Sequence, residues 1–228
     1  MGEDVVFYSK YSQFGRNNIV LYSDPYLCHQ LRLLAFSECL GKSVLLFGES
    51  NVGKTEITSE FLSFVLSSSK LEKIYVVDIG PERFRMGGLE IGGKISDFDD
   101  TYHTNPKVTT FSYPITPPRS NSSSYLEIYK KSLQNYKIII KDMEKIVEYL
   151  FSQQSISCAL IINDLSIFLH MGSLRLIRSL LKTSHTIFVN SYYGTVLSDD
   201  FGSNLTFRER VLVNRMIRHF DYPIRLIH

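Results

Sequence analysis

Residues 48–55 read Gly48-Glu49-Ser50-Asn51-Val52-Gly53-Lys54-Thr55, a run whose residue types and spacing suit a polyphosphate. Gly48 and Gly53 permit backbone angles that a side chain would forbid. The N–H groups of the loop then point inward around an anion, helped by the N-terminus of a helix that follows. Lys54 supplies a point charge to the outer phosphate oxygens. Thr55 offers a hydroxyl to Mg²⁺. Glu56 completes the segment expected to surround the polyphosphate.

Such a loop needs a buried strand before it and an amphipathic helix after it, and both patterns are present. Ser43-Val44-Leu45-Leu46-Phe47 is a continuous apolar run, as in a strand buried on both faces. From about Lys54 to Leu66, Ile57, Phe61, Phe64 and Val65 recur at helical spacing. Further buried runs are Ile74–Val77 ending at Asp78, Ala159–Ile162 ending at Asn163-Asp164, and Thr186–Val189 ending at Asn190; Ile224–Ile227 is expected as a last strand. A long helix is predicted from a Ser124/Glu127 capping box to about Phe151, and a short one near Gly172–Lys182. Thr206 and Glu209 read as a second capping box, opening a helix to about Phe220.

Strands alternating with helices predict an α/β fold of three layers, a mostly parallel sheet with helices on both faces. Right-handed crossovers bring the strand ends to one edge, where ligands bind. The polar residues collected there are Gly48, Asp78, Asn163, Asp164 and Asn190.

One domain is expected across the 228 residues. Residues 1–41 hold a β-hairpin (VVFYS and NIVLYS) and a helix from Pro25 to Cys39 that Gly41 ends. Residues 42–78 are strand, loop, helix and strand; residues 125–228 complete the core. Residues 79–124 are too long for a simple connection and are expected to be functional or inserted. They carry Gly87-Gly88, Gly92-Gly93 and the cations Arg83, Arg85, Lys94 and Arg119.

Composition narrows the partners. Lys and Arg number 25 against 23 Asp and Glu, so no general affinity for nucleic acid or anionic membrane is expected. A nucleic acid could still bind through a local basic patch among the arginines of the connection. Three scattered cysteines suit a reducing, cytoplasmic setting, and the first residues do not read as a signal peptide. The apolar stretch Ala159–Met171 is too short, and too polar at Asn163 and Asp164, to span a bilayer. His170 and His185 read as structural, and Tyr192-Tyr193-Gly194 as core or turn rather than the frame of a base.

The run Gly48–Thr55 resembles the Walker A loop of the P-loop NTPase superfamily, the likeness covering roughly residues 42–190. The resemblance implies ATP and Mg²⁺ as ligands, with Lys54 catalytic. It implies that Asp164 holds Mg²⁺ through a water; Asp78, which also ends a buried run, is the rival. In many members of the ASCE division a Glu follows that acid, but here Leu165 does. RecA-like members carry the Glu at the neighbouring strand's end, which makes Glu82, then Asp78, the expected group to polarise the attacking water. Asn190 falls where such proteins place a sensor of the terminal phosphate. The absence of an [NT]KxD run favours ATP over GTP.

Three functions stay open on this reading. The first is a RecA-like ATPase coupling hydrolysis to conformational change or assembly, in which a homo-oligomer would give Arg83, Arg85 or Arg119 a role in trans. The second is a phosphotransferase, since Asp78-Ile79-Gly80 and Pro114, Pro117-Pro118-Arg119 loosely resemble polynucleotide 5′-hydroxyl kinases. The third is a nucleotide-binding switch or scaffold with little turnover. One strand between the Gly48 strand and the Asp164 strand would support the ASCE division.

Overall fold

The computed structural model describes residues 19–22, 36–67, 71–86, 88–152, 157–197 and 200–227. The strands are β1 (Ile19–Tyr22), β2 (Ser43–Gly48), β3 (Lys73–Asp78), β4 (Phe84–Met86), β5 (Leu89–Ile91), β6 (Val108–Ser112), β7 (Cys158–Asn163), β8 (Thr186–Tyr192) and β9 (Tyr222–Ile227). The helices are α1 (Lys54–Ser67), α2 (Tyr125–Ser152), α3 (Leu165–Leu169), α4 (Leu174–Thr183) and α5 (Leu205–Ile217). Seven strands form one sheet in the order β1-β9-β2-β8-β7-β3-β6, and every pairing in it is parallel. All their carboxyl ends therefore share one edge.

Both faces of the sheet are covered, which is why its strands read as unbroken apolar runs. Successive strand side chains point to opposite faces. Val44, Leu46, Val76, Ile161 and Phe188 pack against Phe61, Leu62 and Val65 of α1. Phe61 and Phe188 stack with centroids 4.2 Å apart, fixing α1 to the sheet. The alternate residues Leu45, Val77, Leu160, Ile162 and Val189 pack against Met143 of α2, Leu180 of α4 and Val213 of α5. The result is a three-layer α/β/α fold, compatible with the P-loop NTPase type. One strand, β8, stands between β2 and β7.

Several local expectations change. The second run of the expected hairpin forms β1, which pairs in parallel with β9. The first run, and residues 25–35 of the expected first helix, lie outside the described residues; residues 36–39 are helical. Gly41 has φ +74°, as a helix-ending glycine should. Asn190 does not end its strand, because β8 continues to Tyr192. The connection 79–124 is largely built: β4 and β5 pair antiparallel, and β6 adds an edge strand beside β3.

The capping boxes differ most. At α2 the Glu127 N–H donates to Ser124 Oγ at 3.4 Å, as the box requires, but the Glu127 carboxylate accepts from the Ser123 N–H at 2.7 Å, one residue earlier than expected. At α5 no box forms, because Asn204 is the N-cap and Thr206 and Glu209 lie buried in the helix.

Candidate functional site

The loop between β2 and α1 is shaped by backbone conformation and by crowding. Gly53 and Asn51 have φ +81° and +62°, the left-handed region. Gly48 is required for a different reason. A methyl group there would stand 2.4 Å from the Leu226 carbonyl oxygen of β9. Gly48→Ala is therefore expected to force β2 and β9 apart and to destabilise the protein by about 1–3 kcal/mol. Urea unfolding would measure it, and an unchanged midpoint would refute it.

Lys54 turns back on its own loop. Its Nζ donates to the Gly48 carbonyl at 3.0 Å and to that of Glu49. Burial lowers its pKa to about 8, although the charges of Asp164 and Glu49 act to raise it. The Glu49 carboxylate accepts from the Thr195 and Val196 N–H groups, tying the loop to the turn after β8.

Beside the loop, the strand ends carry a continuous polar network. Thr55 Oγ1 donates to Asn163 Oδ1 at 3.2 Å, and Asn190 Nδ2 donates to the same oxygen at 2.7 Å. Asn190 Nδ2 also donates to Thr58 Oγ1 at 2.8 Å, while its Oδ1 accepts from the Asp164 N–H at 2.9 Å. Asn163 Nδ2 donates to Asp78 Oδ1 at 2.7 Å and to the Gly93 carbonyl at 3.0 Å. Asp78 Oδ2 accepts from the Ile95 N–H at 2.9 Å. Both oxygens of Asp78 are thus engaged beneath the site, where they fix the connection to the strand ends. Lys94 is buried nearby and donates to the Tyr113 carbonyl at 3.0 Å. Burial raises the pKa of Asp78 despite these hydrogen bonds.

Above this network opens a cleft of about 290 Å³. Lys54, Thr55, Glu56, Asp164 and Asn190 line it together with Arg83, Phe84 and Ile91 of the connection. Asp164 adopts φ +57°, and its Oδ1 accepts from the Ser166 hydroxyl. Burial raises its pKa; the Ser166 hydrogen bond and the Lys54 charge oppose this. Ser50, Asn51 and Gly53 also face the cleft, whereas Glu49 and Val52 line a separate cavity of about 200 Å³. Glu82 is exposed and is not among the residues lining the cleft. Arg83 sits at the rim, 3.1 Å from Asp97 and over the Phe98 ring.

Two features escape the sequence reading. Asn163, rather than Asp164, is the residue on the Thr55 hydroxyl. Its signal is its place as the first polar residue after Leu160-Ile161-Ile162. The second is a buried group of Arg119, Glu209 and His170 at the cleft wall. Arg119 Nη2 donates to Glu209 Oε2 at 2.6 Å and to Thr206 Oγ1 at 3.2 Å. His170 Nε2 lies 2.5 Å from Glu209 Oε1. Burial alone would raise the Glu209 pKa. The charges of Arg119 and His170 and their hydrogen bonds overcome it and hold the carboxyl below the usual range.

Among the described residues, no group of three or more His, Cys, Asp or Glu is placed to hold a metal. No helix among them is long and apolar enough to cross a membrane. Compared with models of known protein families, and with curated proteins, the chain matches none.

Proposed function

We propose that the chain is a Mg²⁺-dependent ATPase of the RecA-like ASCE type of P-loop NTPase, using hydrolysis to drive a conformational change or assembly. The observation that carries this reading is the meeting of Lys54, Thr55 and Asp164 in one cleft at the carboxyl edge of a parallel sheet. The single strand between β2 and β7 supports the ASCE type. Such a cleft is the expected ligand position in an open α/β sheet.

The oxygen donors fit a hard cation. The Thr55 hydroxyl, backed by the Asn163 oxygen, suits Mg²⁺, which keeps several waters and takes its remaining ligands from phosphates. Bound there, the ion would neutralise charge developing on the phosphate oxygens. Lys54 would exchange its loop carbonyls for phosphate oxygens. Asn190, whose two amide hydrogens go to Thr58 and Asn163, would give up one of these bonds to donate to the terminal phosphate.

In this reading Asp164 takes the attacking water, the role expected of Glu82. It follows Asn163 directly, it lines the cleft, and its raised pKa makes it a better proton acceptor. Glu209 is buried and held by His170, so it does not compete for that role. Water attacks the γ-phosphorus and its proton passes to Asp164. The bond from the γ-phosphorus to the bridging oxygen breaks, and ADP leaves with the electron pair.

The test is release of label from γ-³²P-ATP, with and without an oligonucleotide. Free phosphate supports the ATPase; label on an oligonucleotide 5′ end would replace it with the kinase, and neither product with the switch. Asp164→Asn is expected to lower kcat about 100-fold or more with ATP affinity nearly kept. A weakened Mg²⁺ requirement with little change in kcat would return Asp164 to the metal.

A further inference from the structure

We propose that Arg119 reads the terminal phosphate of the bound nucleotide within the same chain, and that Glu209 is the counter-charge that holds it when that phosphate is absent. The inference rests on the ATP reading and adds a device that distinguishes ATP from ADP.

The first observation is position. Arg119 lines the cleft together with Lys54 and Asp164. The other cleft arginine, Arg83, lies at the exposed rim, where Asp97 and Glu90 partner it.

The second is an unmet donor. The Arg119 side chain is only 6% exposed, and its Nε–H has no hydrogen-bond partner among the described residues. A guanidinium carries five donors in a fixed fork and pairs well with phosphate. A buried donor without a partner is unfavourable, and an oxyanion in the cleft would satisfy it.

The third is that Glu209 is held twice. Arg119 Nη2 donates to Oε2 at 2.6 Å and its Nη1 to Oε1 at 3.5 Å, while His170 Nε2 lies 2.5 Å from Oε1. If Arg119 turns toward a phosphate, Glu209 keeps its contact with His170 and is not left as a lone buried charge. Thr206 and Glu209 share α5, so release of Arg119 loosens one end of that helix from the connection.

The backbone carrying Arg119 is anchored. Pro117 and Pro118 fix their own φ just before it. Ser122 Oγ donates to the Pro118 carbonyl at 2.6 Å, and Lys131 Nζ of α2 donates to the Ser120 carbonyl at 2.6 Å. The side chain can thus change partners while its loop stays in place.

Calorimetric titration of the full chain with Mg²⁺-ATPγS and with Mg²⁺-ADP tests this. Wild type is expected to bind ATPγS more tightly. Arg119→Ala should lose about 10-fold or more for ATPγS, with ADP changed by less than about threefold. Arg119→Lys keeps the charge without the fork and should lose most of the same preference. Glu209→Gln weakens the restraint and should widen the preference. Equal losses for both nucleotides, or no loss for either, in a folded Arg119 variant would overturn the proposal. If Arg119→Ala does not fold, Arg119→Lys decides alone, by the same criterion. A wild type that binds neither nucleotide overturns the ATP reading itself, and the proposal with it. A wild type that binds both, with the preference intact in the variants, overturns only the role of Arg119.

Discussion

Lys54→Ala is expected to weaken ATP and ADP binding by about 100-fold or more, measured by calorimetric titration. Charge-assisted hydrogen bonds are each worth about 1.5–3 kcal/mol, and each 1.4 kcal/mol is a factor of ten. Two such bonds to phosphate oxygens account for the loss. The melting temperature at pH 7 should not fall. Burial lowers the Lys54 pKa to about 8, so the folded chain holds this proton less firmly than the unfolded chain. The unfolded state binds more protons between about 8 and the ordinary lysine value of 10.5. This group's contribution to stability therefore rises with pH across that window and is least favourable below it. Removing it at pH 7 removes a buried charge. The same pKa gives wild type a pH signature. Phosphate needs the protonated amine, so affinity should fall by up to about tenfold per pH unit above 8. The Ala variant should lack that slope. Unchanged affinity in the variant would sink the nucleotide reading and every role derived from it.

The loop and the sheet could be read in advance because each rests on local pattern. Gly53, Lys54 and Thr55 stand at fixed spacing, and four-residue apolar runs bounded by polar residues mark strands buried on both faces. Strand order could not be read this way, since β8 enters between β2 and β7 only through tertiary packing. The positions of the acids expected to polarise the water could not be read for a related reason. Asp78 and Glu82 follow a strand end in sequence, but Asp78 is turned down onto Asn163 and Ile95, and Glu82 is exposed. At Glu209 the local pattern misleads, because Thr206 and Glu209 imitate a capping box. Yet Leu205, Glu209, Leu212, Val213 and Met216 share the buried stripe of α5, and a carboxylate on such a stripe requires a buried cation. That cation comes from residue 119, a pairing across 90 residues that no local pattern contains.

Glu209→Ala should accordingly have the largest effect on stability, about 3–5 kcal/mol, the usual result of stranding a buried charge. For a chain of this size that corresponds to a melting temperature lower by roughly 10 °C. The carboxylate is 1% exposed, and the guanidinium it would abandon is 6% exposed. His170, fully buried beside it, would lose its partner as well. The sign against pH follows from the lowered pKa of Glu209. Its stabilisation is complete above the ordinary glutamate value of 4.5 and is lost as pH falls from there through the lower folded value. Asp78 and Asp164, whose pKa values burial raises, act in the opposite sense. Melting curves of wild type and Glu209→Gln, compared between pH 7 and pH 3, isolate the Glu209 contribution. The gap between them should shrink as pH falls. The double variant Arg119→Met, Glu209→Leu removes both charges and should recover most of the stability lost in Glu209→Ala. If that variant is as unstable as Glu209→Ala, packing rather than charge pairing holds α5 to the connection. If it is stable yet no longer prefers ATPγS to ADP, the pair is kept for nucleotide recognition and not for the fold.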